Sequence, residues 1–236
     1  MNTVSKYDID QTEDVLLVVD LQNDFMPGGA LAVARGDEVV PIANRLARLF
    51  AHVVLTQDWH PRSHISFAAN HAGRKPFETI PLPYGEQVMW PVHCVQETAG
   101  AAFHRDVDIP HARAIIRKGH HRHVDSYSAF VEADHATPTG LTGYLRDTGV
   151  KRVWCCGLAT DFCVAWSSLD ARAAGFDVIV IEDATRAIDL NGSLEAAWRE
   201  IEAAGVQRAR STDLLGGSVA DRSADQPASV PANSPN

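Results

Sequence analysis

Several features that would direct this chain elsewhere are missing. No apolar run approaches the roughly 18 residues of a membrane-spanning helix, and the N-terminus carries no secretory signal. Basic residues are in deficit: 21 Lys and Arg against 30 Asp and Glu give a formal net charge of -9. That balance disfavours phosphate backbones and anionic membrane surfaces as partners, since both need a basic patch, so neither nucleic acid nor membrane is expected. The four cysteines, at 94, 155, 156 and 163, form no paired CxxC motif, and a reducing cytoplasm fits them. The turn around Pro27-Gly28-Gly29 lacks GxGxxG spacing, so no nucleotide cofactor is expected. What remains is a small-molecule substrate, with homo-oligomerisation left open.

At 236 residues, with no linker before residue 215, the chain reads as a single domain over 14–215, after a polar lead-in at 1–13. From Gly216 onward Ser, Ala, Pro and Asp dominate, and a disordered tail over 216–236 is expected. Val15-Leu16-Leu17-Val18-Val19 is a continuous β-branched and aliphatic run of the kind covered on both faces of a sheet. Similar short runs follow at 52–57, 114–117, 152–156 and 176–181, with a weak sixth at 206–210. Between them lie helical patterns: one starting at Asp37 with Pro41 in its first turn, one opened by Thr137-Pro138, one over 161–174 capped by Thr160 or Asp161, and one capped by Asn191. Strands alternating with helices predict an α/β fold, a doubly wound, Rossmann-like parallel sheet of about six strands with helices on both faces. Residues 61–111, rich in proline and histidine and without sustained period, read as a site-forming loop.

In such sheets ligands bind beyond the carboxyl ends of the strands. Asp20, Asp58, Lys118 and the turn at 157–163 each follow directly on a predicted strand, so they converge on one edge. Cys163, in the first turn of a helix where free N–H groups favour negative charge, is expected to ionise readily and act as nucleophile. Asp20 can take its proton and return it to a leaving amine, and Lys118 can hold both anions. Asp58, His60 and His64 share one loop, and His93 comes from the motif WPVHC; carboxylate and imidazole donors suit Zn, Fe or Mn. Cys94 is an alternative ligand to its neighbour. The run His120-His121-Arg122-His123 reads as a solvated loop.

DLQNDFMPGGALAV, DWHPRSHISF, WPVHCVQETAGAAFH, IRKG, DSYSAF and GLATDFCV together resemble nicotinamidases (pyrazinamidases) of the isochorismatase-like cysteine hydrolases, over nearly the whole chain to about residue 212. The resemblance implies hydrolysis of nicotinamide to nicotinic acid and ammonia through a thioester on Cys163, with Asp20 and Lys118 completing a triad. It implies an oxyanion hole from the backbone N–H groups of Ala159 and Cys163, shaped by a cis peptide between Leu158 and Ala159. It implies one divalent ion, zinc foremost, on Asp58, His60, His64 and His93, gripping the pyridine nitrogen, and aromatic walls from Phe25, Trp90 and Tyr127. Relatives acting on vinyl ethers or N-carbamoyl amides do not need the DxH and WPxHC sets. A catalytically silent scaffold would not need Asp20, Lys118 and Cys163 together.

Overall fold

The computed structural model describes residues 7–215; the expected disordered tail lies outside the described residues. The strands are β1 (Asp14–Val19), β2 (Val53–Asp58), β3 (Thr79–Leu82), β4 (Gly85–Val88), β5 (Ala114–Lys118), β6 (Arg152–Leu158), β7 (Asp177–Arg186) and β8 (Gln207–Ala209). Six of them form one sheet in the order β5-β2-β1-β6-β7-β8, and every neighbouring pair is parallel. β3 and β4 make a separate antiparallel hairpin inside the long excursion that follows β2.

β1 is buried at every position because its side chains alternate between two covered faces. Leu16 and Val18 point to one side, against α1 (Val39–Ala47), while Val15, Leu17 and Val19 point to the other. On that second side lie α2 (Leu141–Asp147), α3 (Ala165–Ala173) and α4 (Ser193–Ala203), and the short α5 (Ser211–Leu215) returns to the first. The doubly wound parallel sheet expected from the sequence is therefore the fold. Among the described residues no helix is long and apolar enough to cross a membrane.

Three element boundaries differ from expectation. Thr137 does not open a helix: its N–H and hydroxyl both donate to Asp134 in a turn, and α2 begins at Leu141 after Gly140 in the left-handed region. Asn191 does not cap α4; it is itself left-handed, with φ 54°, and Gly192 stands at the cap. β7 continues five residues past Ile181 to Arg186, with a register shift against β6 between Cys155 and Gly157.

The two-sided core sets a stability expectation. Leu16 is fully buried on the central strand, so Leu16→Ala should cost about 2–5 kcal/mol through lost burial and the cavity left behind. Urea denaturation measures this; a loss below about 1 kcal/mol would mean that the sheet is not packed from both sides as described.

Candidate active site

The sheet order brings the strand ends together. β5, β2, β1 and β6 are neighbours, and at their carboxyl ends stand Lys118, Asp58, Asp20 and the turn leading to Cys163. Lys118 and Asp58 are register partners across β5 and β2, and Val19 pairs with Gly157 across β1 and β6. Asp20 leaves β1 with φ 49°, the left-handed region that non-glycine residues seldom adopt. Its N–H donates to Thr56 Oγ1 at 3.1 Å, and the same hydroxyl donates to Asp20 Oδ1 at 2.6 Å. The turn is locked to β2 at both ends.

Lys118 is completely buried at the centre. Its Nζ lies 2.8 Å from Asp20 Oδ2 and 3.3 Å from Cys163 Sγ, donates to Asp58 Oδ1, and reaches the Ser126 carbonyl at 3.2 Å. Burial opposes charge on this ammonium, but the carboxylates of Asp20 and Asp58 outweigh it and hold its pKa well above the usual lysine value. At Asp58 burial is likewise outweighed, by Lys118 and His60, and the carboxyl stays well below its usual range. At Asp20 burial prevails over Lys118, and the pKa is raised. Cys163 departs from expectation here. Its helical turn, Thr160–Val164, is of the wide π type, and burial, more than Lys118 can offset, pushes its thiol well above the ordinary range. The resting thiol keeps its proton, with the Asp20 carboxylate beside it to receive that proton.

Beside this group, Asp58 Oδ2 lies 3.4 Å from His60 Nε2 and 3.7 Å from His93 Nε2. His60 Nδ1 donates to the Gly119 carbonyl and His93 Nδ1 to the Pro91 carbonyl, each at 2.8 Å. A carbonyl only accepts, so those nitrogens carry protons and each Nε2 turns toward a carboxylate oxygen; burial opposes charge on His60, but Asp58 outweighs it and raises its pKa. Three facing ligand atoms, all buried and within 4.8 Å of one another, fit a divalent cation, with backbone carbonyls fixing both ring orientations in the way ligating histidines are held. His64 is not brought into that set. Its Nε2 donates to the Val124 carbonyl at 3.1 Å and its Nδ1 faces Ser66 Oγ at 2.7 Å, so neither nitrogen is free; burial pushes its pKa down to about 4. It packs on His60 instead, with ring centroids 4.2 Å apart. Cys94 is buried, and its N–H donates to Asp24 Oδ2 at 2.7 Å.

Cys163, Asp58, His60 and His93 open into one cavity. Phe25, Trp90 and Tyr127 line it as expected, and so does Ala159, which follows a cis peptide after Leu158. Trp90 Nε1 donates to the Tyr127 hydroxyl at 3.0 Å, which ties the two walls together. Leu31, Asp125, Ser126, Phe162 and Ile188 complete the lining, and residue-level reading missed them. Asp125 and Ser126 sit inside the quoted motif DSYSAF and could have been found; Ile188 lies beyond every motif. Asp161, expected as a helix cap, makes no capping bond. It accepts instead from Ile188 N, Asp189 N and Ser193 Oγ, pinning the loop that brings Ile188 to the cavity. The excursion after β2 is site-forming: Trp90 and His93 come from it, and Gln87 of β4 donates to Asp125 Oδ2 at 2.7 Å and to the Tyr127 hydroxyl at 3.1 Å.

A doubly wound parallel sheet that seats a buried thiol between a carboxylate and an ammonium, facing an aromatic cavity, carries the equipment of a nucleophilic hydrolase. The chain belongs to the isochorismatase family, whose domain, described as "Isochorismatase domain", matches residues 14–213. A nicotinamidase of Acinetobacter baylyi is 58% identical over 200 residues, covering 85% of this chain and 94% of its own length. A solved Acinetobacter baumanii nicotinamidase and pyrazinamidase superposes with a TM-score of 0.86 at 60% identity, covering 87% of this chain and 99% of its own. The pyrazinamidase of Pyrococcus horikoshii, solved in complex with zinc, superposes with a TM-score of 0.69 at 39% identity, covering 84% and 99%.

Gly119 offers a test of the donor set that leaves every donor in place. A Cβ there would lie 2.4 Å from His60 Cε1 and 2.6 Å from Nδ1, at φ +64°. Gly119→Ala should therefore turn the His60 ring and weaken zinc binding by about 10- to 100-fold, the scale of losses when the support of a ligand is disturbed. Zinc titration of the purified variant reads this, and unchanged affinity would remove His60 from the set.

Proposed function

We propose that this chain is a nicotinamidase that hydrolyses nicotinamide to nicotinic acid and ammonia, with pyrazinamide as a second substrate, and that it serves NAD salvage in the cytoplasm. The single observation that carries the reading is Cys163 Sγ, 3.3 Å from Lys118 Nζ and beside the Asp20 carboxylate, lining the cavity that also holds Asp58, His60 and His93. The nicotinamidases and pyrazinamidases it resembles support the substrate class. For the compartment, all four cysteines are free, as a reducing environment keeps them.

In the first half-reaction Asp20 takes the thiol proton as Cys163 Sγ bonds to the carboxamide carbon, and Lys118 stabilises whichever of the two carries the negative charge. The backbone N–H groups of Ala159 and Cys163 are assigned to the developing oxyanion, where fixed donors act with no reorganisation cost. Protonated Asp20 then returns its proton to the departing nitrogen, so the C–N bond breaks with ammonia rather than an amide anion as leaving group. In the second half Asp20 takes a proton from water as the water oxygen bonds to the thioester carbon, and the C–S bond breaks as Asp20 returns that proton to sulfur, regenerating the thiol and the carboxylate. Phe25, Trp90 and Tyr127 hold the ring by apolar contact. Asp58, His60 and His93 would hold one divalent ion, for which zinc is the first choice, supplying a Lewis acid toward the pyridine nitrogen. The alternatives within the family, vinyl ether or N-carbamoyl substrates, lack the pyridine nitrogen that this reading assigns to the bound ion.

Cys163→Ala should lower ammonia release from nicotinamide by a factor on the order of 10³ or more, because bond formation itself is lost, while the thermal midpoint stays near that of the parent. Substantial residual turnover would exclude Cys163 as nucleophile. Benzamide keeps the carboxamide without the ring nitrogen, and misplacement by about 1 Å costs on the order of a hundredfold. It should therefore be turned over at least about a hundredfold more slowly, and chelation should silence nicotinamide hydrolysis while iodoacetamide still labels Cys163. Equal turnover of the two amides, or full activity in metal-free protein, would leave the ring nitrogen unanchored and contradict the assignment.

A further inference from the structure

The histidine run that reads from sequence as a solvated loop has a partner the sequence does not reveal. His120 and His121 follow Lys118 and Gly119 off the end of β5 and are themselves exposed, yet they close on a carboxylate that is not. Glu132 has a side chain only 2% exposed, and His121 Nδ1 lies 2.9 Å from its Oε1 and 2.8 Å from its Oε2. The rings of His120 and His121 stand with centroids 4.1 Å apart and planes at 41°. One potential ligand atom from each of the three residues falls within 4.8 Å of the other two. None of the three lines the catalytic cavity.

We propose that His120, His121 and Glu132 form a second divalent-metal site, separate from Asp58, His60 and His93, for a first-row ion of the zinc class. The warrant is the geometry at Glu132. Both oxygens of a buried carboxylate turn toward one ring nitrogen of His121, and the ring of His120 stands against that imidazole, so three ligand groups face one small volume. Two imidazoles and one carboxylate are donors that Zn²⁺ takes readily, with a fourth position left to water. Ligands about 2 Å from a common tetrahedral ion lie roughly 3.3 Å apart. The three ligand atoms already lie within 4.8 Å of one another, the two imidazoles are exposed, and the Glu132 backbone is held by its N–H on the Thr137 carbonyl at 2.9 Å.

An ion here has a place in the architecture. Between Lys118 and Glu132 the chain offers the carbonyls of Gly119, Val124 and Ser126, which accept from His60, His64 and Lys118. Coordination by His120, His121 and Glu132 ties the two ends of that segment together, so ion binding stabilises the backbone that orients the catalytic side. The inference stands apart from the nicotinamidase reading, since it concerns residues outside the reaction.

The test is zinc stoichiometry on full-length, tag-free protein, stripped with chelator and dialysed against Zn²⁺ alone. The parent should bind about two ions per chain. His60→Ala/His93→Ala should retain about one, and its thermal midpoint should rise on adding Zn²⁺. Adding His121→Ala or Glu132→Gln to that double variant should abolish both the remaining ion and the thermal shift. A His60→Ala/His93→Ala protein that binds no zinc would overturn the proposal, as would a second ion that survives both His121→Ala and Glu132→Gln. Failure of the inner donor set instead would appear as a single ion, lost in His121→Ala and kept in His60→Ala/His93→Ala. Glu132→Gln preserves side-chain volume and hydrogen-bonding capacity, so loss of the ion there does not require loss of the fold.

Discussion

A single buried ammonium sets the terms for everything at the carboxyl edge of the sheet. Lysine is almost never fully buried unless paired, and Lys118 is paired with Asp20 and Asp58 while touching the Cys163 thiol. Removing either carboxylate would leave a buried cation with half its compensation, and uncompensated buried charge costs on the order of 3–5 kcal/mol. The strand order follows from this requirement. Only with β5, β2, β1 and β6 side by side can one amine at the end of β5 reach a carboxylate on each of the next two strands and a thiol beyond the third. The long excursion between β2 and β5 and the switch from β5 across to β6 are the chain's way of producing that adjacency, and the switch point is where ligands bind in sheets of this kind.

Close approach of β1 and β6 is enforced by the backbone. Gly157 has φ +119°, and a Cβ there would sit 2.1 Å from the Val19 carbonyl oxygen, so no other residue fits between the two strands at that point. The absence of a side chain lets β6 run against the very end of β1, and the following turn then delivers Cys163 to the side of Asp20. Asp20 answers with its own left-handed φ, held by Thr56 from β2 through two hydrogen bonds. Two unusual backbone positions on adjacent strands thus face the same few ångströms.

Local pattern made most of this legible. β1, β2 and β5 are short runs that end in polar residues, and β6 runs into a turn that opens a helix; those endings pointed to Asp20, Asp58, Lys118 and Cys163 as neighbours. Long-range partners were illegible because they depend on packing. His64 lies within the same loop as His60, and spacing cannot tell that its two nitrogens are taken by Val124 and Ser66. Asp161 has the residue type and position of a helix cap, but its carboxylate is claimed by residues 188, 189 and 193, some thirty positions on. Helix entry at Cys163 promised an acidic thiol; burial, a tertiary quantity, reversed the sign.

That reversal changes how the nucleophile has to work. Burial raises the pKa of Cys163 and of Asp20 together, since it penalises either anion alike, and Lys118 favours both anions. The two shifts have the same direction and the same principal causes, so moving the proton from sulfur to carboxylate changes the charge of the pocket not at all. What is costly is to carry both anions at once or to exchange the proton with bulk water; transfer within the pair avoids both. Cys155 and Cys156 show the contrast: burial raises each of them too, to about 12 in the case of Cys155, but neither has a lysine or a carboxylate among the groups acting on it. A buried thiol becomes a usable nucleophile here through the neighbour that accepts its proton; that partnership separates Cys163 from Cys155 and Cys156, and its place in the cavity lining separates it from Cys94, on which Lys118 and the same carboxylates also act.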